Sequence, residues 1–305
     1  MLFRCTPNQP FTQGVRGLDL IHSNNTFNKL WIIESLADGE LKTGTRLHDD
    51  LFHSIKEEHP NLIVSLEKPT SKDEFIHCLK VIHQDVVENK NYPLIHLECH
   101  GCENGLGLSN KEIIEWGEIR DLLIKINFAC EINLLVVVAA CKGAYLIHTA
   151  TQLDRAPFYA IVGSEQEMKA GEIQADFTEF YKSFFQSLNG NEAIEALNRQ
   201  AKKTNRIYHF VGAEILFLKA FRKYHQDHCT GKAKNSRLED LVTKAMTMPE
   251  VNQMGVNWAR NKAKEWFKNE QEPAFDRMKE RFFGLEDYPN NKARFTINYV
   301  DVLQQ

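Results

Sequence analysis

Two residues in this 305-residue chain, His100 and Cys141, have the chemistry of a thiol nucleophile and its proton-transfer partner. A thiolate is intrinsically nucleophilic, and an imidazole beside it helps to form it and hands a proton to the leaving group. Each residue ends a continuous apolar run closed by a glycine-bearing turn. The runs are Leu94-Ile95-His96-Leu97-Glu98-Cys99-His100-Gly101 and Leu134-Leu135-Val136-Val137-Val138-Ala139-Ala140-Cys141-Lys142-Gly143. Runs of that length and composition read as buried strands of a parallel sheet. Parallel strands deliver their C-terminal ends to one edge, and α/β sheets bind ligands at that edge. The competing reading is that the cysteine packs as a small hydrophobe and the histidine does no chemistry. Placement beside turns, rather than inside the apolar runs, favours the chemical reading.

The elements that must position this pair can be taken in chain order. Residues 1–28, rich in Asn, Thr and Gln with two Pro and two Gly, read as a loop-rich N-terminal arm. Lys29 to Leu36 is the first strand, and Asp38-Gly39 and Thr43-Gly44 mark the loop after it. A helix over Arg46 to Glu58 leads to the strand Asn61 to Leu66, which Pro69 stops. Ser71-x-x-Glu74 is a capping-box start, and Phe75, Leu79, Ile82 and Val86 repeat at helical spacing behind it. That helix is the crossover to the His100 strand.

Between Gly101 and Trp116 two patterns compete. Ser109-x-x-Glu112 fits a helix cap, whereas Gly105 to Leu108 and Ile113 to Trp116 flank Ser109-Asn110-Lys111 like hairpin arms. The hairpin is favoured. Ile119, Leu122, Leu123 and Ile126 give the helical stripe that returns the chain to the Cys141 strand. A short helix over Ala144 to Thr151, the strand Phe158 to Val162 and a helix over Glu172 to Leu188 follow. The aromatic stripe of that last helix reads as core and not as a cofactor box. A helix over Glu192 to Lys203 comes next, and Tyr208 to Phe221 is a strand or helix that closes the domain. The alternation predicts an α/β fold, a doubly wound, mostly parallel sheet flanked by helices over residues 29–224.

Beyond it the composition shifts. Lys219 to Arg237 is basic and carries Thr230-Gly231, which reads as a linker region. Residues 225–305 read as a mainly helical extension of about three helices broken at Met248-Pro249 and Glu272-Pro273, with Phe295 to Val300 as a further strand.

Composition narrows the function classes. With 43% hydrophobic and 26% charged residues the chain is globular, and its formal charge of −4 argues against a general nucleic-acid or membrane-surface role. Seven cysteines without a repeated spacing fit a reducing compartment better than a disulfide framework. The N-terminus has no signal-peptide pattern, and the longest apolar run is far too short to span a bilayer. A cytoplasmic location is expected, which also keeps a reactive thiol reduced.

His100-Gly101 after one strand, then Ala139-Ala140-Cys141-Lys142-Gly143 after the next, resembles the caspase-like cysteine peptidases, whose nucleophile sits in a Gln-Ala-Cys-x-Gly turn. The flanks are more similar to the CHAT branch of that superfamily. They comprise a Gly-rich hairpin after the histidine, the strand Phe158 to Gly163, and a Phe- and Tyr-rich helix ending in Leu188-Asn189-Gly190. Asn191 to Leu197 then resembles the segment leading into that family's last helix, and the likeness spans about residues 29–222. The resemblance implies a caspase-like fold and a cysteine endopeptidase that needs no cofactor. It makes Cys141 the nucleophile, His100 the acid and base, and the backbone N–H groups of Gly101 and Cys141 the oxyanion hole. It also implies a protein or peptide substrate, and a role in a bacterial defence or cell-death pathway.

Departures from the caspase pattern bear on specificity. Ala139 stands where caspases carry Gln, so one polar wall of a pocket for acidic side chains is absent and cleavage after Asp is not expected. The loop Gly163-Ser164-Glu165-Gln166-Glu167 is expected to border the S1 pocket. Ser164 in that loop is a candidate substrate-contacting residue, and Glu165, or Glu98 on the His100 strand, is a candidate partner for a basic P1 side chain. The plainer reading of both carboxylates is a solvated or rim position. Cys99-x-x-Cys102 fits a zinc or redox pattern but lacks a second pair at similar spacing, and His225-x-x-His228-Cys229 lacks obvious partners. No metal site is expected. The alternative function is a catalytically silent CHAT-like interaction module, and in either case the C-terminal helices are the expected docking place for a regulatory protein.

Overall fold

The structure, a computed structural model, describes residues 3–5, 25–150 and 152–303. Most of the expected N-terminal arm lies outside them. Its described pieces, β1 (Phe3–Cys5) and β2 (Asn25–Phe27), pair antiparallel. The strands that follow are β3 (Lys29–Ser35), β4 (Ile63–Glu67), β5 (Pro93–Gly101), β6 (Gly105–Gly107) and β7 (Ile113–Glu115), then β8 (Leu135–Ala139), β9 (Ala160–Gly163) and β10 (His209–Gly212). Among the described residues these eight form one sheet, in the order β10-β9-β8-β5-β3-β4, with the β6–β7 hairpin attached to the end of β5. The pairs from β4 to β9 along that order are parallel and β9–β10 is antiparallel. The fold is therefore α/β, with a mostly parallel mixed sheet flanked by helices.

Central strands covered on both faces need apolar residues at every position, and β8 is buried throughout. The crossovers follow from helical stripes. After α1 (Thr43–Arg46), a π-helical stretch (Leu47–Phe52) and α2 (His53–Glu58), helix α3 (Lys72–Asn89) buries the expected Phe75, Leu79, Ile82 and Val86. The Ser71 hydroxyl caps α3 by accepting the Glu74 N–H at 3.3 Å, while the Glu74 carboxylate turns to the Thr70 N–H. Helix α4 (Trp116–Ala129) buries Ile119, Leu123 and Ile126, and α5 (Tyr145–Thr149) precedes β9. Helix α6 (Ala170–Ser187) carries the aromatic stripe into the core, where Phe177 meets His96 at a ring distance of 5.4 Å and Phe184 meets Phe27 at 5.5 Å. Helix α7 (Gly190–Ala201), capped by Asn189, packs beside α6.

Two expectations for the C-terminal part are corrected. Helix α8 (Ala213–Cys229) runs through both the expected boundary near residue 224 and most of the expected linker, and α9 (Gly231–Ala245) starts after a single intervening residue. On α8, Lys219 and Lys223 are exposed and Arg222 turns to the carbonyls of Asp301 and Val302, while Leu216, Phe217, Ala220 and Phe221 form a buried stripe. Helices α10 (Pro249–Met254), α11 (Val256–Asn269), α12 (Gln271–Phe283), α13 (Asn291–Arg294) and α14 (Val300–Leu303) complete the chain. Pro249 and Pro273 fall in first helical turns, where a missing N–H costs no hydrogen bond. Phe295 to Tyr299 form no strand. Phe295 stacks on Phe283 at 4.3 Å and Tyr299 lies against Phe221, so the alternating pattern comes from an extended segment packed on helices with no strand edge to pair.

The aromatic contacts of Phe217 with Phe275, Phe282 and Phe283, at 5.2, 5.2 and 5.6 Å, join the C-terminal helices to the core of the sheet. By contrast α9 and α11 share a small separate cluster of Cys229, Leu238 and Phe267. Among the described residues no helix is long and apolar enough to cross a membrane.

Candidate active site

Strand order fixes where a ligand can reach this sheet. The chain leaves β3 for β4 on one side, then crosses back to β5 on the other, so the connections after β3 and β5 diverge. A crevice opens at the C-terminal ends of strands where such connections part. His100 is the penultimate residue of β5, and the loop after β3 faces it.

Register carries Cys141 to the same place. Glu34 pairs with Glu98 across β3 and β5, and Glu98 with Ala139 across β5 and β8, so these three share one face. Two residues further along lie His100 and Cys141. The Gly143 N–H bonds the Ala140 carbonyl, which closes a turn around Cys141 and Lys142, and Lys142 takes a left-handed φ of 55°. A Cβ on Gly101 would overlap the Cys141 carbonyl, so only glycine lets the two strand ends approach this closely. The Cys102 N–H bonds the Gly105 carbonyl at 3.0 Å, which makes Gly101–Leu106 a non-hydrogen-bonded pair of the β5–β6 ladder. The Gly101 N–H therefore points away from β6.

The Cys141 thiol is half-buried and its sulfur accepts the Met168 N–H at 3.1 Å. The loop that carries Met168 wraps the Cys141 turn, for the Lys142 N–H bonds the Gln166 carbonyl and the Ala144 N–H bonds the Ser164 carbonyl. Lys142 also spans the crevice to Glu103, at 2.9 Å. The imidazole of His100 is engaged elsewhere: its Nε2 lies 2.7 Å from Glu40 Oε1, and no hydrogen bond joins His100 to Cys141. That contact holds the Glu40 carboxyl below its usual range. The other cysteines differ in environment. Burial pushes the Cys99 thiol up, and the Cys130 thiol up to about 12, so neither ionises near neutrality.

The expected substrate-contacting residues divide. Glu165 is exposed on the loop beside Cys141, with His148 at 3.9 Å. Ser164 is fully buried; its hydroxyl donates to the Ile207 carbonyl and accepts the Gln166 N–H, so it holds the loop. Ala139 is buried in β8. Glu98 is neither solvated nor at a rim. It is buried, with Oε2 2.7 Å from His96 Nε2 and Oε1 accepting the Thr43 hydroxyl, while His96 Nδ1 lies 2.9 Å from the Tyr181 hydroxyl. Burial, with the Glu98 charge, raises the Tyr181 phenol.

Two carboxylates escape the sequence reading. Glu34, buried beside Glu98, accepts the Thr45 N–H at 2.9 Å and the Thr45 hydroxyl at 2.7 Å. Glu40 sits in the loop after β3, between the turn signals Asp38-Gly39 and Thr43-Gly44. A polar cleft of about 480 Å³ adjoins that loop, lined by Ser35, Asp38, Lys42, Lys68, Thr70 and Ser109. Among the described residues no group of three His, Cys, Asp or Glu side chains is placed to hold a metal, and Cys102 instead donates to the Gly105 carbonyl. No family model and no curated protein matches the chain.

Proposed function

We propose that this chain is a cysteine endopeptidase of the caspase-like kind, akin to the CHAT branch, acting on a peptide bond of a protein substrate. Cys141 attacks the scissile carbonyl, His100 protonates the departing amine and then activates water, and the N–H groups of Gly101 and Cys141 receive the oxyanion. The observation that carries the reading is the close approach of Gly101 to the Cys141 carbonyl, which holds the two strand ends together at the crevice. A Gly101 N–H turned away from β6 suits the donor role. Glu165 is the exposed carboxylate for a basic P1 side chain, since both Glu98 oxygens are engaged. We further propose that the protein works in the cytoplasm.

The test is cleavage of a peptide library by the wild type, Cys141→Ala and His100→Ala. Cleavage with a basic P1 preference, lost in both variants, is expected. Cleavage retained by Cys141→Ala removes the nucleophile from the reading, and an apolar P1 preference removes the role of Glu165. One observation favours the second reading, a catalytically silent interaction module: the Cys141 sulfur is bonded to Met168 and His100 to Glu40 rather than to each other. Labelling of Cys141 by a peptidyl electrophile rejects that reading.

A further inference from the structure

We propose that Glu40 is the positioning residue of a Cys141–His100–Glu40 triad, holding the imidazole of His100 so that its Nδ1 serves the thiol. The inference rests on the peptidase reading above and adds a third member to it.

The argument begins with the turn that carries Glu40. The Glu40 N–H bonds the Ala37 carbonyl at 3.2 Å, and Gly39 takes a φ of 85°, the left-handed conformation that the third position of a type II turn requires. The Ala37 N–H in turn donates to Glu40 Oε2 at 2.6 Å, so one carboxylate oxygen is fastened to its own turn. Lys42 Nζ ties the same turn down through the carbonyls of Leu36 and Ala37. The other oxygen, Oε1, is left for His100 Nε2 at 2.7 Å. A surface ion pair between two long side chains loses most of its value to the ordering of both. Here the carboxylate is ordered by its own backbone, and the imidazole alone has to be fixed.

Chemistry sets the consequence. An ionised carboxylate only accepts hydrogen bonds, so Nε2 carries the proton of this contact and Nδ1 is the nitrogen free to exchange one. In the acylation step the Cys141 proton passes to Nδ1, leaving thiolate and imidazolium. A sulfur electron pair forms the C–S bond while the carbonyl π pair moves onto oxygen. When that pair returns, the C–N bond breaks and the amine leaves with the Nδ1 proton. Water then replaces the thiol by the reverse sequence. Glu40 keeps its negative charge throughout and stabilises the imidazolium between these steps, the role a carboxylate plays behind a catalytic histidine.

Other charges around His100 are committed or lie on neighbouring loops. Lys42 is tied to carbonyls, Lys142 pairs with Glu103, and both Glu98 oxygens are taken within the core. Asp38 lies in the same turn as Glu40, and Glu165 and Glu167 in the loop at Cys141.

The test reads thiol reactivity, which requires no substrate. Cys141 alkylation by iodoacetamide is followed by peptide mass spectrometry across pH for the wild type, Glu40→Gln, Glu40→Ala and His100→Ala, with near-ultraviolet circular dichroism confirming the fold. Glu40→Gln is isosteric and its side chain sits partly in solvent, so folding is retained. The expected result is a roughly tenfold or greater slowing at neutral pH in both Glu40 variants, with the pH profile moved towards that of His100→Ala. In peptide cleavage the same variants lower kcat and leave KM unchanged. If the Glu40 profiles superimpose on the wild type while His100→Ala differs, Glu40 has no positioning role and the Cys–His dyad stands. If His100→Ala also superimposes, the dyad falls and the triad with it.

Discussion

Two histidine–glutamate pairs of equal length, 2.7 Å, lie four residues apart on β5 and point to the same face of the sheet. In the first, His96 with Glu98, the side chains are 0% and 3% exposed. In the second, His100 with Glu40, they are 64% and 37% exposed. The contact chemistry is the same and the surroundings decide its use. The inner pair has every polar atom matched by Tyr181 or Thr43, which is how buried polar groups avoid an uncompensated desolvation cost. It can order the core and cannot meet a substrate. The outer pair is open to solvent, adds little to stability, and is free to exchange protons.

This contrast can be broken or sharpened by substitution. The largest effect is expected for His100→Ala, which lowers Cys141-dependent cleavage by roughly 10² to 10⁴-fold while unfolding in urea changes by less than about 1 kcal/mol. Glu98→Ala reverses the pattern of damage. It leaves His96 and Thr43 without their buried partner, and the urea midpoint falls by the equivalent of about 3–5 kcal/mol; a loss below about 1 kcal/mol would make the inner pair no more structural than the outer one.

A smaller effect separates the two pairs by pH. The His100 contact lowers the Glu40 carboxyl, so its stabilisation is complete above the ordinary carboxylate value of 4.5 and is lost as pH falls through the lowered folded value. The stability difference between wild type and Glu40→Gln, at most about 1 kcal/mol, should shrink towards zero over that acid range in urea titrations. Smallest of all is Lys142→Ala, which opens the pair with Glu103 and should cost a few tenths of a kcal/mol.

How far each pair could be read from sequence follows from the reach of its contacts. The strands of the sheet were legible because burial on both faces demands unbroken apolar runs, and the placement of His100 and Cys141 at neighbouring strand ends was legible because they close such runs at the turns. The hairpin over Gly105 to Glu115 formed as its flanking pattern indicated. Glu98 was misplaced because Thr43, and Tyr181 behind the neighbouring His96, are brought in by helices 55 and 85 residues away from their partners, and a carboxylate in a strand carries no mark of them. Glu40 was missed for a similar reason, as a single acidic residue in a loop. In the C-terminal part, charge on one side of α8 masked its apolar stripe. The alternation from Phe295 to Tyr299 imitated a strand because extended backbone packs one side inward whether or not another strand lies beside it.

One brace on the strand that leads to Cys141 sets the timing of assembly. The Arg294 guanidinium donates to the carbonyls of Glu131 and Ile132 and to Asn133 Oδ1, at the turn from which β8 starts. Glu131 and Ile132 both hold left-handed backbone, at φ 58° each, which Arg294 helps to stabilise. Arg294 follows Glu131 by 163 residues. At a synthesis rate of roughly 5–20 residues per second, the strand that presents Cys141 waits about 8 to 30 seconds on the ribosome before this clamp emerges. The nascent chain therefore carries an unclamped Cys141 strand until Arg294 emerges, and a ribosome stalled before Arg294 should hold a thiol that reacts as an unstructured cysteine does.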